Sequence, residues 1–217
     1  YYRNLFENLD YLTGCDSIKN YIQQFNDSVL DTSASVIGPL VNGQQTYLDS
    51  VMLKTNSVIT GILRADLENE DSTYCMFFPN DKAWDAAYET INPYYKYIDK
   101  LDYMDVTNKT TVASSTSSTT AKATDAATPP TGKTAAQFQD SLTIRNIIGN
   151  LVFSGAYQRN QPLFGNGVLE ETDSAYSTNR HYLTGMQEMI DRTTEINQMS
   201  NGIARVVDTV AFVPSET

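Results

Sequence analysis

Residues 74–84 read YCMFFPNDKAW, and this stretch constrains the fold more than any other. The apolar run is too short for a self-contained helix and far too short to span a bilayer, so it reads as a buried strand. Pro79 cannot donate to a ladder, and the strand ends there. Asn80 or Asp81 then caps a helix that carries Ala83, Trp84, Ala87 and Tyr88 on one side. Presentation of Asp81 and Lys82 for catalysis is the competing reading. A carboxylate at the positive end of a helix needs no substrate to explain it, and architecture is preferred.

Elements on either side follow from periodicity. Leu5, Leu9 and Leu12, then Ile18, Tyr21, Ile22, Phe25 and Val29, are spaced by threes and fours. They predict two short amphipathic helices broken at Thr13-Gly14, with Asp16 or Ser17 capping the second. Pro39 and Asn42-Gly43 mark a loop, and Leu48, Val51 and Met52 predict a further helical stretch. Another is expected through Ile59, Ile62, Leu63 and Leu67, ending in the acidic turn at 68–71. Later, Leu142, Ile144, Ile147, Ile148, Leu151 and Val152 predict a dense apolar helix closed by Ser154-Gly155. Gly165-Asn-Gly167, then His181-Tyr-Leu, then residues 203–213 behind Ser200-Asn-Gly202 turn β-like, since Asn-Gly before alternating residues signals a hairpin. Helices lead and strands follow, which predicts an α+β class.

Residues 107–134 interrupt this pattern. Ser or Thr fills 14 of these 28 positions and no aromatic residue occurs. Such a segment cannot bury enough apolar surface to offset its ordering entropy, and a surface insertion in one 1–217 domain is expected. Before it stand Tyr88, Tyr94, Tyr95, Tyr97 and Tyr103, either a buried seam or an exposed binding surface, with Tyr94 and Tyr95 the candidate ligand contacts.

Charge and inventory narrow the function. A net charge of -11 with no basic cluster repels a phosphate backbone, so nucleic acid is not an expected partner. No apolar run is long enough to cross a membrane. The chain begins at Tyr1 without Met, and an export signal or lipid anchor is expected to have preceded it. The single His181 supports neither a histidine zinc site nor, without a nucleophile elbow, a serine triad. The stretch FGNGVL lacks the third glycine of a phosphate loop. The acidic clusters at 68–71 and 170–173 do not follow EF-hand spacing and read as solvated loop charge. No catalytic residue, metal or cofactor is expected. Cys15 and Cys75 permit one disulfide, with buried free thiols the simpler reading.

Two separated segments, in order, suggest a family. YCMFFPNDKAW, with Phe77, Phe78, Pro79, Asn80, Asp81, Ala83 and Trp84, resembles the first signature box of fasciclin-like domains. MSNGIARVVDTVAFVP at 199–214, with Asn201, Gly202, Asp208, Val210 and Pro214, resembles the second. Between them, IRNIIGNLVFSGAY is similar to the family's central helix and strand, with Asn150 where a His is common. The details of NEDSTYCMFFPNDKAWDAAYE are most similar to versions on the surface of Bacteroidetes. The resemblance implies a β-strand wedge packed with short helices, placed outside the cell and mediating adhesion to protein, matrix or glycan. Asn150 departs from that pattern, which counts against a binding role implied for the family's His-containing motif and leaves the implied fold standing.

An Asp-Ser/Thr pattern, as at Asp71-Ser72 and Asp173-Ser174, is similar to the O-glycosylation acceptor of Bacteroidetes envelope proteins. Ser72 and Ser174 are the candidate sites, while Asp208-Thr209 is expected inside a core strand. Sequons at Asn26 and Asn108 matter only in a eukaryotic secretory route. The function expected is a non-catalytic cell-surface adhesion or recognition module. The alternative is an accessory lipoprotein subunit of an outer-membrane nutrient importer, contacting transporter subunits, glycan or peptide, with only a lipid anchor in the membrane. An acidic glycoside hydrolase is a remote third, because no carboxylate pair is forced together by the pattern.

Overall fold

The computed structural model describes residues 2–95, 134–165 and 174–211. In chain order the elements are α1 (Leu5–Asn8), α2 (Asp16–Gln23), β1 (Asn26–Val41), β2 (Gln44–Asn56), β3 (Tyr74–Pro79), α3 (Asp81–Ile91), α4 (Ala135–Gly149), β4 (Val152–Ser154), β5 (Ala175–Tyr176), β6 (Tyr182–Leu183), α5 (Met186–Asp191), β7 (Thr193–Met199) and β8 (Gly202–Val207). The class is α+β. Most of the expected insertion, together with Tyr97, Tyr103, Asn108, Gly167, Asp173 and Pro214, lies outside the described residues.

The apolar run at 74–79 forms the centre of a four-stranded sheet in the order β4-β3-β8-β7, with β3 and β8 parallel and the outer pairings antiparallel. Burial on both faces explains why β3 and β8 show no polar alternation. Phe77, Phe78 and Phe153 are fully buried, and the Phe77 and Phe153 rings meet edge-on at 5.7 Å. Helices α1, α2, α3 and α4 contribute Leu5, Ile18, Ile22, Ile91 and Ile147 to the same core.

Local capping explains the chain path around β3. Asn80 Oδ1 accepts the Ala83 amide at 2.9 Å and is the N-cap of α3. Asp81 is not that cap: its Oδ1 accepts the Ser17 amide of α2 at 2.8 Å, while its own amide donates to Gly14 O at 2.9 Å. Neither Asp16 nor Ser17 caps α2, whose N-cap residue Cys15 makes no side-chain cap bond. The cap arrives from 64 residues away, which local sequence cannot show. The Ser17 amide, ahead of other causes, holds the Asp81 carboxyl below its ordinary value of 3.8. A depressed folded-state value gives stability that is present above pH 3.8 and lost as pH falls through the folded value. Asp81→Ala is expected to cost about 1 kcal/mol at neutral pH. Urea titrations across pH check this, and a deficit that persists at pH 2 to 3 unchanged would contradict the carboxylate as its source.

Further expectations are corrected. Residues 44–56 form β2, not a helix containing Leu48, Val51 and Met52, and Val29 lies in β1 rather than in the second helix. The apolar helix stops at Gly149, so Val152 belongs to β4. β8 ends at Val207, leaving Asp208-Thr209 beyond it.

Candidate functional site

The box residues build the sheet and its corners. Asn201 is buried, with its Oδ1 accepting the Leu5 amide at 2.9 Å and its Nδ2 donating to Leu67 O at 2.7 Å. Gly202 stands at φ +143° against β3, where a Cβ would lie 1.8 Å from Tyr74 O. Asp208 pairs with Arg192 at 3.0 Å, and Val210 packs on the core rim. Ala83 and Trp84 are buried on the inner side of α3.

Asn150 is also structural. Its Nδ2 donates to Asn146 O at 3.1 Å, and its Oδ1 faces His181 Nδ1 at 3.0 Å and accepts from Ser177 Oγ at 3.2 Å. The chain's one histidine is held by Asn150. Cys15 and Cys75 are buried free thiols. Burial pushes Cys15 up to about 11 and Cys75 up to about 12, so both stay protonated and unreactive at neutral pH. Among the described residues no group of three or more His, Cys, Asp or Glu is arranged to hold a metal ion.

The surface feature that sequence reading missed is the β1–β2 ribbon. Asn42 at φ +53° and Gly43 at φ +79° form its tight turn, and the strands pair from Asn26–Asn56 at the root to Val41–Gln44 at the tip. With 13 residues in the shorter strand, the ribbon is roughly 40 Å long. Bulges fall between residues 31 and 40. Asp31 stabilises the first by accepting from Ser33 Oγ at 2.6 Å, Ser33 N at 2.9 Å and Ala34 N at 3.1 Å, which holds its carboxyl below the usual range. Ser35 Oγ accepts the Val51 amide at 2.9 Å across the ribbon.

Both ribbon faces meet solvent. Toward the tip Val36, Ile37, Leu40, Val41 and Leu48 are exposed, Leu48 by 75%. Along the shaft Val29, Val51, Met52 and Leu53 are exposed as well. Residues 32–48 contain no Asp, Glu, Lys or Arg. Two clefts of about 480 Å³ each flank the root and share Phe6, Lys54 and Glu68.

A second feature is a tyrosine stack. Tyr176 and Tyr182 face each other across β5–β6 at 4.6 Å, and Tyr157 meets Tyr176 edge-on at 4.9 Å. Tyr157 and Tyr182 are exposed, and the Arg159 guanidinium lies 5.1 Å from the Tyr182 ring centre. Arg159 Nη1 also donates to Ser174 Oγ at 2.8 Å, so this candidate acceptor is engaged, whereas Ser72 is half-buried beside the acidic turn. The expected ligand pair is split: Tyr94 is exposed, while Tyr95 packs against the core. Tyr88 is a seam residue, donating to Asp140 between α3 and α4, and that bond pushes its hydroxyl up to about 12.

No described helix is long and apolar enough to cross a membrane. Comparison with known protein families, curated proteins and solved structures finds no match to this chain.

Proposed function

We propose that the chain is a non-catalytic recognition module of the fasciclin-like kind, acting at an outer cell surface and binding protein through the β1–β2 ribbon. The observation that carries this reading is the ribbon itself: nine exposed large apolar side chains on a projecting element whose distal part is uncharged. Exposed apolar side chains gathered on one element mark interaction sites. The two signature-like segments lie side by side in β3 and β8, where they organise the core that the ribbon projects from.

The Tyr157–Tyr176–Tyr182 stack with Arg159 favours a second reading, glycan binding as an accessory subunit of an outer-membrane importer. Exposed aromatic faces stack on sugar rings and the guanidinium offers planar donors. One experiment separates the two. Native capture from the source envelope and a glycan array are run with the full chain, a ribbon-shortened variant replacing residues 32–48 by Asn-Gly, and Tyr157→Ala/Tyr182→Ala. Loss of protein capture on shortening the ribbon alone is expected. Array binding lost only in the tyrosine variant supports the second reading, and indifference of both readouts to both variants overturns the two together.

A further inference from the structure

We infer that the ribbon's occupant is the ribbon of a second copy, so that two chains pair arm to arm about a two-fold axis. The inference rests on the reading of the ribbon as an interaction surface and adds its partner. A two-stranded ribbon with water on both faces is marginal alone, and three or more strands or a covering layer are needed for independent stability. Pairing two ribbons meets that need in one step, giving four strands or two stacked layers.

Area and charge both fit. Nine side chains exposed by 40–75%, at roughly 100 Å² each, present about 900 Å² over the two faces together. A pairing that covers one face therefore buries about 450 Å² of apolar side chain per partner, the size of a weak, concentration-dependent dimer, against about 800 Å² in a standard interface. The whole chain carries -11, so two bodies brought together elsewhere would repel. The uncharged stretch runs from 32 to 48, and its five residues on the shorter strand, 44–48, carry the ribbon about 17 Å beyond Asp49. That exceeds the Debye length of about 8 Å at physiological salt, so paired arms hold the acidic bodies beyond most of their repulsion. A two-fold interface must complement itself, and an uncharged apolar patch does so without any opposite charge. A strongly charged partner finds nothing in the distal ribbon to pair with.

Lipid fits less well. Among the described residues the outer edges of β1 and β2 have no neighbouring strand, and their backbone groups would lose water on entering hydrocarbon. Growth beyond a dimer is limited by the bulges between residues 31 and 40, by Pro39, which lacks a donor, and by Asp31 and Asp49 bordering the tip.

The test is sedimentation equilibrium of the full chain across the micromolar range, at low and moderate salt. A mass of twice 24.2 kDa is expected, tightening as salt screens the bodies. Ile37→Asp/Leu40→Asp should weaken association by about tenfold or more, with far-UV circular dichroism unchanged because both sites lie outside the core. With Cys15 and Cys75 buried, Leu48→Cys supplies the accessible thiol, and mild oxidation should lock the dimer. A monomer at every concentration, or a dimer indifferent to the aspartates, overturns the inference. A monomer whose ribbon still governs capture of another protein overturns only the second-copy assignment. A ribbon that alters neither mass nor capture overturns the interaction surface as well.

Discussion

Gly202→Ala is expected to lower the melting temperature by roughly 10 °C or more, or to prevent folding outright. Two costs combine at this position. Its φ of +143° is open to glycine and strained for other residues, which costs about 1–3 kcal/mol. The larger cost is steric: an added Cβ would stand 1.8 Å from Tyr74 O and 2.9 Å from Tyr74 N, both backbone atoms of the central strand. Backbone cannot rotate away as a side chain can. β3 and β8 must separate where Tyr74 pairs with Gly202 and where the Tyr74 amide bonds Asn201 O at 2.9 Å. A loss of about 4 kcal/mol corresponds to roughly 10 °C for a chain of this size. Gly43→Ala is the control. Its φ is also positive, at +79°, but nothing lies within 4 Å of the added methyl, so only the conformational cost applies. Calorimetry of the two variants decides the matter, and equal shifts would remove the close approach of β3 and β8 as the reason for glycine.

That glycine shows how much was legible. Asn201-Gly202 read correctly as a turn into a strand, because Asn-Gly chemistry is local. Their tertiary duties were not legible, since Asn201 reaches Leu5 and Leu67, separated from it by 196 and 134 residues. The β3–α3 corner was legible for the same local reason: Pro79 ends a ladder and Asn80 caps. Asp81 was misassigned within it because its partner Ser17 lies on another helix.

The ribbon failed for a different physical reason. Period-2 alternation arises when one face of a strand is buried, and here neither is, so Leu48, Val51 and Met52 fell into helical spacing by accident. Pro39 further argued against a strand, although an open-edged ribbon tolerates it. Two signals did point the other way: Asn42-Gly43 fits a primed turn, and residues 28–55 are rich in Ser, Thr and Val. The tyrosine stack had no such signal. Tyr157 and Tyr176 meet only because β5–β6 folds back beside the 3₁₀ segment Gln158–Phe164.

Asn56→Ala is the second large effect, and it bears on how the ribbon is held. Asn56 ends β2 and is buried. Its Nδ2 donates to Ile22 O at 2.8 Å, at the end of α2, and to Asn26 Oδ1 at 2.7 Å, at the start of β1. Its Oδ1 accepts the amides of Val58 at 2.9 Å and Ile59 at 3.1 Å, capping the π-helical turn Ile59–Leu63. One side chain thus joins both strands of the ribbon to the body. Alanine leaves the two buried amides of Val58 and Ile59 without this acceptor and takes the Asn56 donor from the Ile22 carbonyl, which keeps the Phe25 amide at 3.2 Å, a loss of about 2–3 kcal/mol. Asn56→Asp keeps the acceptor for the two amides but sets a carboxylate against Ile22 O and Asn26 Oδ1 in place of a donor. The comparison therefore divides capping from tethering. If tethering matters, both variants should speed amide hydrogen exchange at residues 26–30 and 52–56, with Asp sparing 58–59. Exchange that rises only at 58–59, and only in the alanine variant, would show that Asn56 caps a turn without orienting the ribbon. The tip residues are untouched by either change, so a weakened dimer in Asn56→Ala with an intact core would trace to the direction of the arm, since its apolar surface is the same.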